Sequence, residues 1–108
     1  MIDLPAPIAA YLEAANANDS LGLTTCFTAD AVVQDEAQEY RGIDAILAWK
    51  DKTYALYRPV VEARRIEGDA SNYRLHALVS GNFPGSPTML AYRFVLRGDK
   101  VAALEIGV

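Results

Sequence analysis

The chain has 108 residues, of which 52% are hydrophobic and 22% charged, with a formal net charge of −4; this is the composition of one folded domain, residues 1–108, able to bury a core without staples. The ten basic residues are scattered, so no electrostatic footprint for nucleic acid or an anionic membrane is visible. Cys26 is the single cysteine, which excludes an internal disulfide and a cysteine metal cluster.

The opening residues MIDLPAP lack the basic start and apolar run of a signal peptide, and no apolar segment approaches the roughly 20 residues of a membrane helix. The expectation is a cytoplasmic protein. Pro5 and Pro7 precede a helical pattern that puts Ile8, Tyr11, Leu12 and Ala15 on one face. The run NAND at 16–19 stops it, and Asp19 or Ser20 can cap a short second helix over about 21–27. Asp30 breaks that helix, and AVVQD at 31–35 has strand composition, with Ala31, Val33 and Asp35 on one side. After a polar connection with room for a short edge strand near Tyr40, a helix is predicted over 43–57. Asp44 suits its N-terminus and Pro59 closes it. Ile43, Ile46, Leu47, Trp49 and Tyr54 spread around the cylinder, so contact on more than one side is expected.

From Pro59 the apolar period becomes two. VVEARRIEG is a strand with Arg64 and Arg65 on opposite faces. The next, from Tyr73 to Phe83, turns Tyr73, Leu75, Ala77, Val79 and Phe83 one way and Arg74, His76 and Ser80 the other. PGSP at 84–87 is a turn. TMLAYRFVLR opposes Leu90, Tyr92, Phe94 and Leu96 to Met89, Ala91, Arg93 and Val95; after the turn RGDK, the last strand opposes Ala102, Leu104 and Ile106 to Val101, Ala103 and Glu105. Helices followed by consecutive strands give an α+β fold with helices on one sheet face. A long sheet curls, and the small residues Ala77, Gly81 and Ala102 on its inner side would leave a mostly apolar pocket, walled by Tyr73, Phe83, Tyr92 and Phe94. His76, out of phase with the inner set, belongs to the outer face.

The stretch AYLEAANANDSLGLTTCFTADAVVQD followed by EYRGIDAILAW resembles the NTF2-like superfamily, and within it the SnoaL-like and ketosteroid-isomerase-like branch. The shared pattern is an aromatic-bearing first helix, an N-x-x-D turn, a short helix ending in F-x-x-D-A, a strand, and R/Y-G-x-x-A-I-x-x-W/F. The resemblance implies a cone: a strongly curved, mostly antiparallel sheet with three helices from the first half of the chain on its concave face. It places Asp35 where ketosteroid isomerases hold the carboxylate that shuttles a proton at carbon, and Tyr11 at the first-helix tyrosine that donates to the enolate oxygen. The family's second donor, a protonated aspartate, has no acidic counterpart; Tyr92 falls there, which implies little activity on a 3-keto-Δ5 steroid.

An Asp–Tyr pair suits isomerisation, cyclisation or hydration of a small apolar carbonyl compound: the carboxylate removes an acidic C–H proton and a fixed phenol receives the charge that moves to oxygen. No metal or cofactor is required, and one histidine makes a metal site unexpected. Val33, Trp49 and Tyr54 are expected around the pocket, with Leu75, Val79, Phe94 and Ile106 from the sheet. The plain alternatives are that Asp35 only accepts turn N–H bonds and that Tyr11 is a core tyrosine. Glu36, Glu39 and Arg41 are expected as a solvated rim. The mixed outer sheet face suggests a homodimer, which the resemblance also implies. Two other functional readings use the same fold: a non-catalytic module that holds a small ligand, and a dimeric interaction module whose cone is filled core.

Overall fold

A computed structural model describes residues 2–108. Helix α1 (Ala6–Asn16) buries Ile8, Tyr11, Leu12 and Ala15 on one face, and Pro7 falls in its first turn, where a missing N–H costs no helical bond. It ends just before Asn18, whose φ of 52° is left-handed. Asp19 caps α2 (Ser20–Cys26), accepting the Gly22 N–H at 3.0 Å. Helix α3 (Ile43–Tyr57) carries Asp44 in its first turn and stops at Arg58, left-handed, just before Pro59. Among the described residues no helix is long and apolar enough to cross a membrane.

The strands are β1 (Phe27–Asp35), β2 (Gln38–Arg41), β3 (Val60–Asp69), β4 (Asn72–Ser80), β5 (Thr88–Arg97) and β6 (Lys100–Gly107). They form one sheet in the order β2-β1-β6-β5-β4-β3. β1 runs parallel to β6, and every other neighbouring pair is antiparallel. The architecture is therefore α+β, with a mostly antiparallel sheet. Alternation selects the core: Val33, Leu75, Ala77, Phe94 and Leu104 are sealed beneath Ile8, Leu23 and Ile46 from the helices. Each large side chain so buried contributes about 1.5–3 kcal/mol, and truncating Phe94 to alanine would cost about 3–5 kcal/mol.

Four local expectations need correction. The first strand begins at Phe27, not Ala31, because Phe27 already pairs with Val101; Asp30 stays within the strand, accepting from the Thr28 hydroxyl at 2.9 Å. In β6 the burial phase moves: a register shift between Val95 and Leu96 pairs Leu96 with Val101. Val101 is therefore fully buried where Ala102 was expected to face inward. A bulge adds one residue to a strand and reverses the alternation beyond it. Arg64 is likewise an extra residue, at the register shift between Ala63 and Arg65, so Arg64 and Arg65 are both exposed.

β4 stops at Ser80, short of Phe83. There the chain passes so close to the end of α3 that a Cβ on Gly81 would lie 2.5 Å from the Tyr57 carbonyl oxygen. The Asn82 N–H donates to that same oxygen at 2.6 Å. Phe83 thereby reaches the inner side from a loop, edge-on to Tyr57 at 6.0 Å.

Candidate active site

Ala31 and Val33 of β1 are fully buried under the helices, so Asp35, two residues on and on the same face, emerges at the inner rim of the sheet. The Trp49 indole N–H donates to its Oδ2 at 3.0 Å, and the Trp49 ring lies 6.1 Å from Tyr40 of β2. The carboxylate is thus held from α3, across 14 residues of sequence.

From the other side comes Tyr11, 2% exposed. Its ring is fixed edge-on between Phe27 at 5.8 Å and Phe94 at 5.6 Å. Tyr92 of β5 stacks on Phe94 at 6.4 Å. Neither phenol has a hydrogen-bond partner among the described residues, yet no side-chain polar atom is both sealed and unpaired. Both hydroxyls therefore open onto free space.

That space is a cavity of about 230 Å³ bordered by Tyr11, Asp35, Trp49, Lys50, Tyr92 and Ile106, with Thr53, Tyr57, Val61, Val79 and Phe83 completing the wall. Glu36, Pro59, Pro84 and Leu90 also line it. Burial holds the Tyr11 phenol well above its ordinary range, with the neighbouring Tyr92 and then the Asp35 charge adding to the effect. Tyr92 is raised for the same reasons, burial first and Asp35 second. Two protonated donors and one carboxylate thus share a mostly apolar chamber.

The structure brings together Tyr11, Asp35, Trp49, Val79, Tyr92 and Ile106. Four residues expected around the pocket do not reach it. Val33, Leu75 and Phe94 are packed out of reach in the core, because the helices cover the middle of the sheet and leave space only towards one end. Tyr54 fails by helical phase: five residues from Trp49 is about 140° around the axis, and its ring lies under the Arg58 guanidinium at 5.8 Å instead. Tyr73, expected as a wall, also lies outside the cavity. Arg41 pairs with Glu39 at 2.6 Å in solvent, and His76 sits on the outer face with Glu67 at 2.9 Å.

The sequence reading missed Lys50. This lysine is 4% exposed and lies on the α3 stripe that also carries Trp49, Thr53 and Tyr57. The spacing 46, 49/50, 53, 57 was the available signal; it was masked because a lysine is by default read as solvated. A wider depression of about 660 Å³ lies on the opposite sheet face, among Arg74, Arg93 and Glu105. Two of its charged groups are already paired, Arg93 to Glu105 at 3.0 Å. Among the described residues no three of His, Cys, Asp and Glu come together to hold a metal ion.

Residues 8–104 match the SnoaL-like domain. The chain belongs to this family. The SnoaL-like chain is 38% identical to a provisionally assigned polyketide cyclase of Sinorhizobium meliloti, with a TM-score of 0.93 and coverage of 96% of this chain and 95% of that one. It also superposes on a hypothetical protein of Catenulispora acidiphila with a ketosteroid isomerase-like fold, solved in complex with trimethylamine. The identity there is 22%, the TM-score 0.85 and the coverage 98% and 87%. A second provisionally assigned polyketide cyclase, from Pseudomonas putida, gives 18% identity, a TM-score of 0.81 and coverage of 100% and 92%. At these last two identities the likeness is one of fold, and the NTF2-like architecture follows from it. No curated protein sequence matches the chain.

Proposed function

We propose that this SnoaL-like chain is a cofactor-free enzyme that isomerises, cyclises or hydrates a small, largely apolar carbonyl compound. Asp35 is the general base, and Tyr11 and Tyr92 donate hydrogen bonds to the oxygen that becomes negative. The observation that carries this reading is the carboxylate of Asp35, pinned by Trp49 in a chamber onto which two unpaired phenols open. In the reaction, Asp35 takes a proton from the carbon beside the carbonyl and the C–H pair moves through to oxygen. The phenols, already in place, stabilise that charge without solvent reorganisation, and protonated Asp35 returns the proton at carbon or oxygen.

General-base catalysis of this kind is worth about 10²–10⁴-fold in rate. A cavity of about 230 Å³ is below the ~300–1,000 Å³ of drug-sized sites, which favours a compact substrate over a steroid. The polyketide cyclase names of the relatives from S. meliloti and P. putida are in keeping with a cyclisation. Association of two copies through the outer sheet face is part of the same proposal.

The test is exchange of α-hydrogens of cyclohexanone in D2O, followed by NMR. The wild-type chain is expected to accelerate exchange over buffer, and Asp35→Asn to lose about 10²-fold or more of that gain. Equal rates for wild type and Asp35→Asn would remove Asp35 as the base. A wild-type rate no faster than buffer, with cyclohexanone still bound, would leave a ligand-holding module in place of an enzyme.

A further inference from the structure

Lys50 is the unusual group of the cavity. Its side chain is taken almost wholly out of water, it borders the chamber, and it enters none of the ion pairs among the described residues. Among the described residues no buried side-chain nitrogen is both sealed and unpartnered, so Nζ reaches the free space. Burial pulls its pKa below the ordinary lysine value, while the Asp35 charge works in the opposite direction. The other titratable groups lining the same cavity are Tyr11 from α1, Glu36 beyond β1, Tyr57 on the same helix and Tyr92 from β5. An anionic ligand would meet Asp35 and Glu36 at once, whereas a neutral carbonyl compound would not. A desolvated lysine amine beside an apolar chamber is the arrangement that favours attack on carbonyl carbon.

We propose that Lys50 is a nucleophile that captures a small aldehyde or ketone in this cavity as an imine, so that the chamber supports iminium–enamine chemistry. The Nζ lone pair forms a bond to the carbonyl carbon, and the C=O π pair moves to oxygen. A proton passes from nitrogen to that oxygen through the medium. The second amine proton leaves with the hydroxyl as water when the C=N bond forms, and a proton from the medium makes the iminium. Asp35, facing it, then removes the α-proton to give the enamine; protonation at carbon and addition of water reverse the sequence and release Lys50. This inference rests on the reading that the cavity accepts a carbonyl compound, and its first readout is a covalent bond, which does not depend on Asp35 as a base for enolisation.

The chain carries its own controls, since its other lysines are Lys52 and Lys100. The full-length protein is treated with benzaldehyde and sodium cyanoborohydride at neutral pH, digested, and mapped by mass spectrometry. Because a lowered pKa leaves more of the amine neutral, Lys50 is expected to carry more adduct than exposed Lys52. Lys50→Arg, which keeps the charge but cannot form the imine, is expected to abolish that adduct, leave the Lys52 adduct unchanged and slow cyclohexanone exchange. An adduct at Lys50 no greater than at Lys52 overturns the proposal, and so does Lys50 labelling with exchange indifferent to Lys50→Arg. Loss of exchange in Asp35→Asn with the Lys50 adduct retained separates the two roles; an adduct without any wild-type exchange defeats the enzyme reading and the enamine route while leaving carbonyl capture.

Discussion

Asn16, the last residue of α1, is a good place to test how the chamber is built. Its side-chain amide forms two bonds to one residue of β3: Nδ2 donates to the Val61 carbonyl at 2.9 Å, and Oδ1 accepts the Val61 N–H at 2.8 Å. β3 is one of the two edge strands of the sheet, so the amide acts as one more pair of strand hydrogen bonds and closes an exposed edge. Val61 is buried at 7% exposure and borders the cavity. Asn16→Ala removes both bonds, each worth about 0.5–1.5 kcal/mol net, and orphans a backbone donor and acceptor that water reaches only in part. The expected loss is about 2 kcal/mol, which for a domain of this size corresponds to roughly 9 °C in Tm. Urea unfolding followed by circular dichroism measures it, with the m-value unchanged because the buried surface is the same. A loss below about 0.5 kcal/mol would show that water replaces the amide fully and that α1 is held to the sheet by apolar contact alone.

The remaining predictions concern the phenols and the outer face. Tyr11 and Tyr92 have folded-state pKa values raised by burial, so their contribution to stability is complete below the unfolded tyrosine value of about 10 and is lost as pH rises through the folded values. Tyr92→Phe should therefore change stability by no more than about 0.5 kcal/mol at pH 7, its hydroxyl being unpaired, and should flatten the fall in stability above pH ~10. Urea midpoints measured against pH check both statements; an unchanged alkaline slope would remove Tyr92 from the explanation. On the outer face, Met89 and Val95 are 47% and 40% exposed, and Val95→Lys should shift a dimer to monomer in sedimentation velocity with little change in Tm. A wild-type chain that sediments as a monomer at every concentration would dispose of the outer-face association.

Sequence patterns carried the elements because helical and strand periods are properties of neighbouring residues. The α3 boundaries followed from Asp44 and Pro59, and alternation put Asp35 on the same side of its strand as Ala31 and Val33. The same counting failed at β6, where the shift at Val95/Leu96 buried Val101 in place of Ala102. Alternation is a parity, and one extra residue reverses it without leaving a mark in composition.

What the chain alone determined, then, was which residues could face inward. Which of those meet empty space was decided by how far the helices cover the sheet. That coverage sealed Val33, Leu75 and Phe94 and left Tyr11, Asp35 and Tyr92 beside a cavity. It also took Lys50 out of water and joined Asn16 to Val61 across 45 residues. These are contacts between elements far apart in the chain, and the free energy that selects them comes from packing of the whole domain, which no local period encodes.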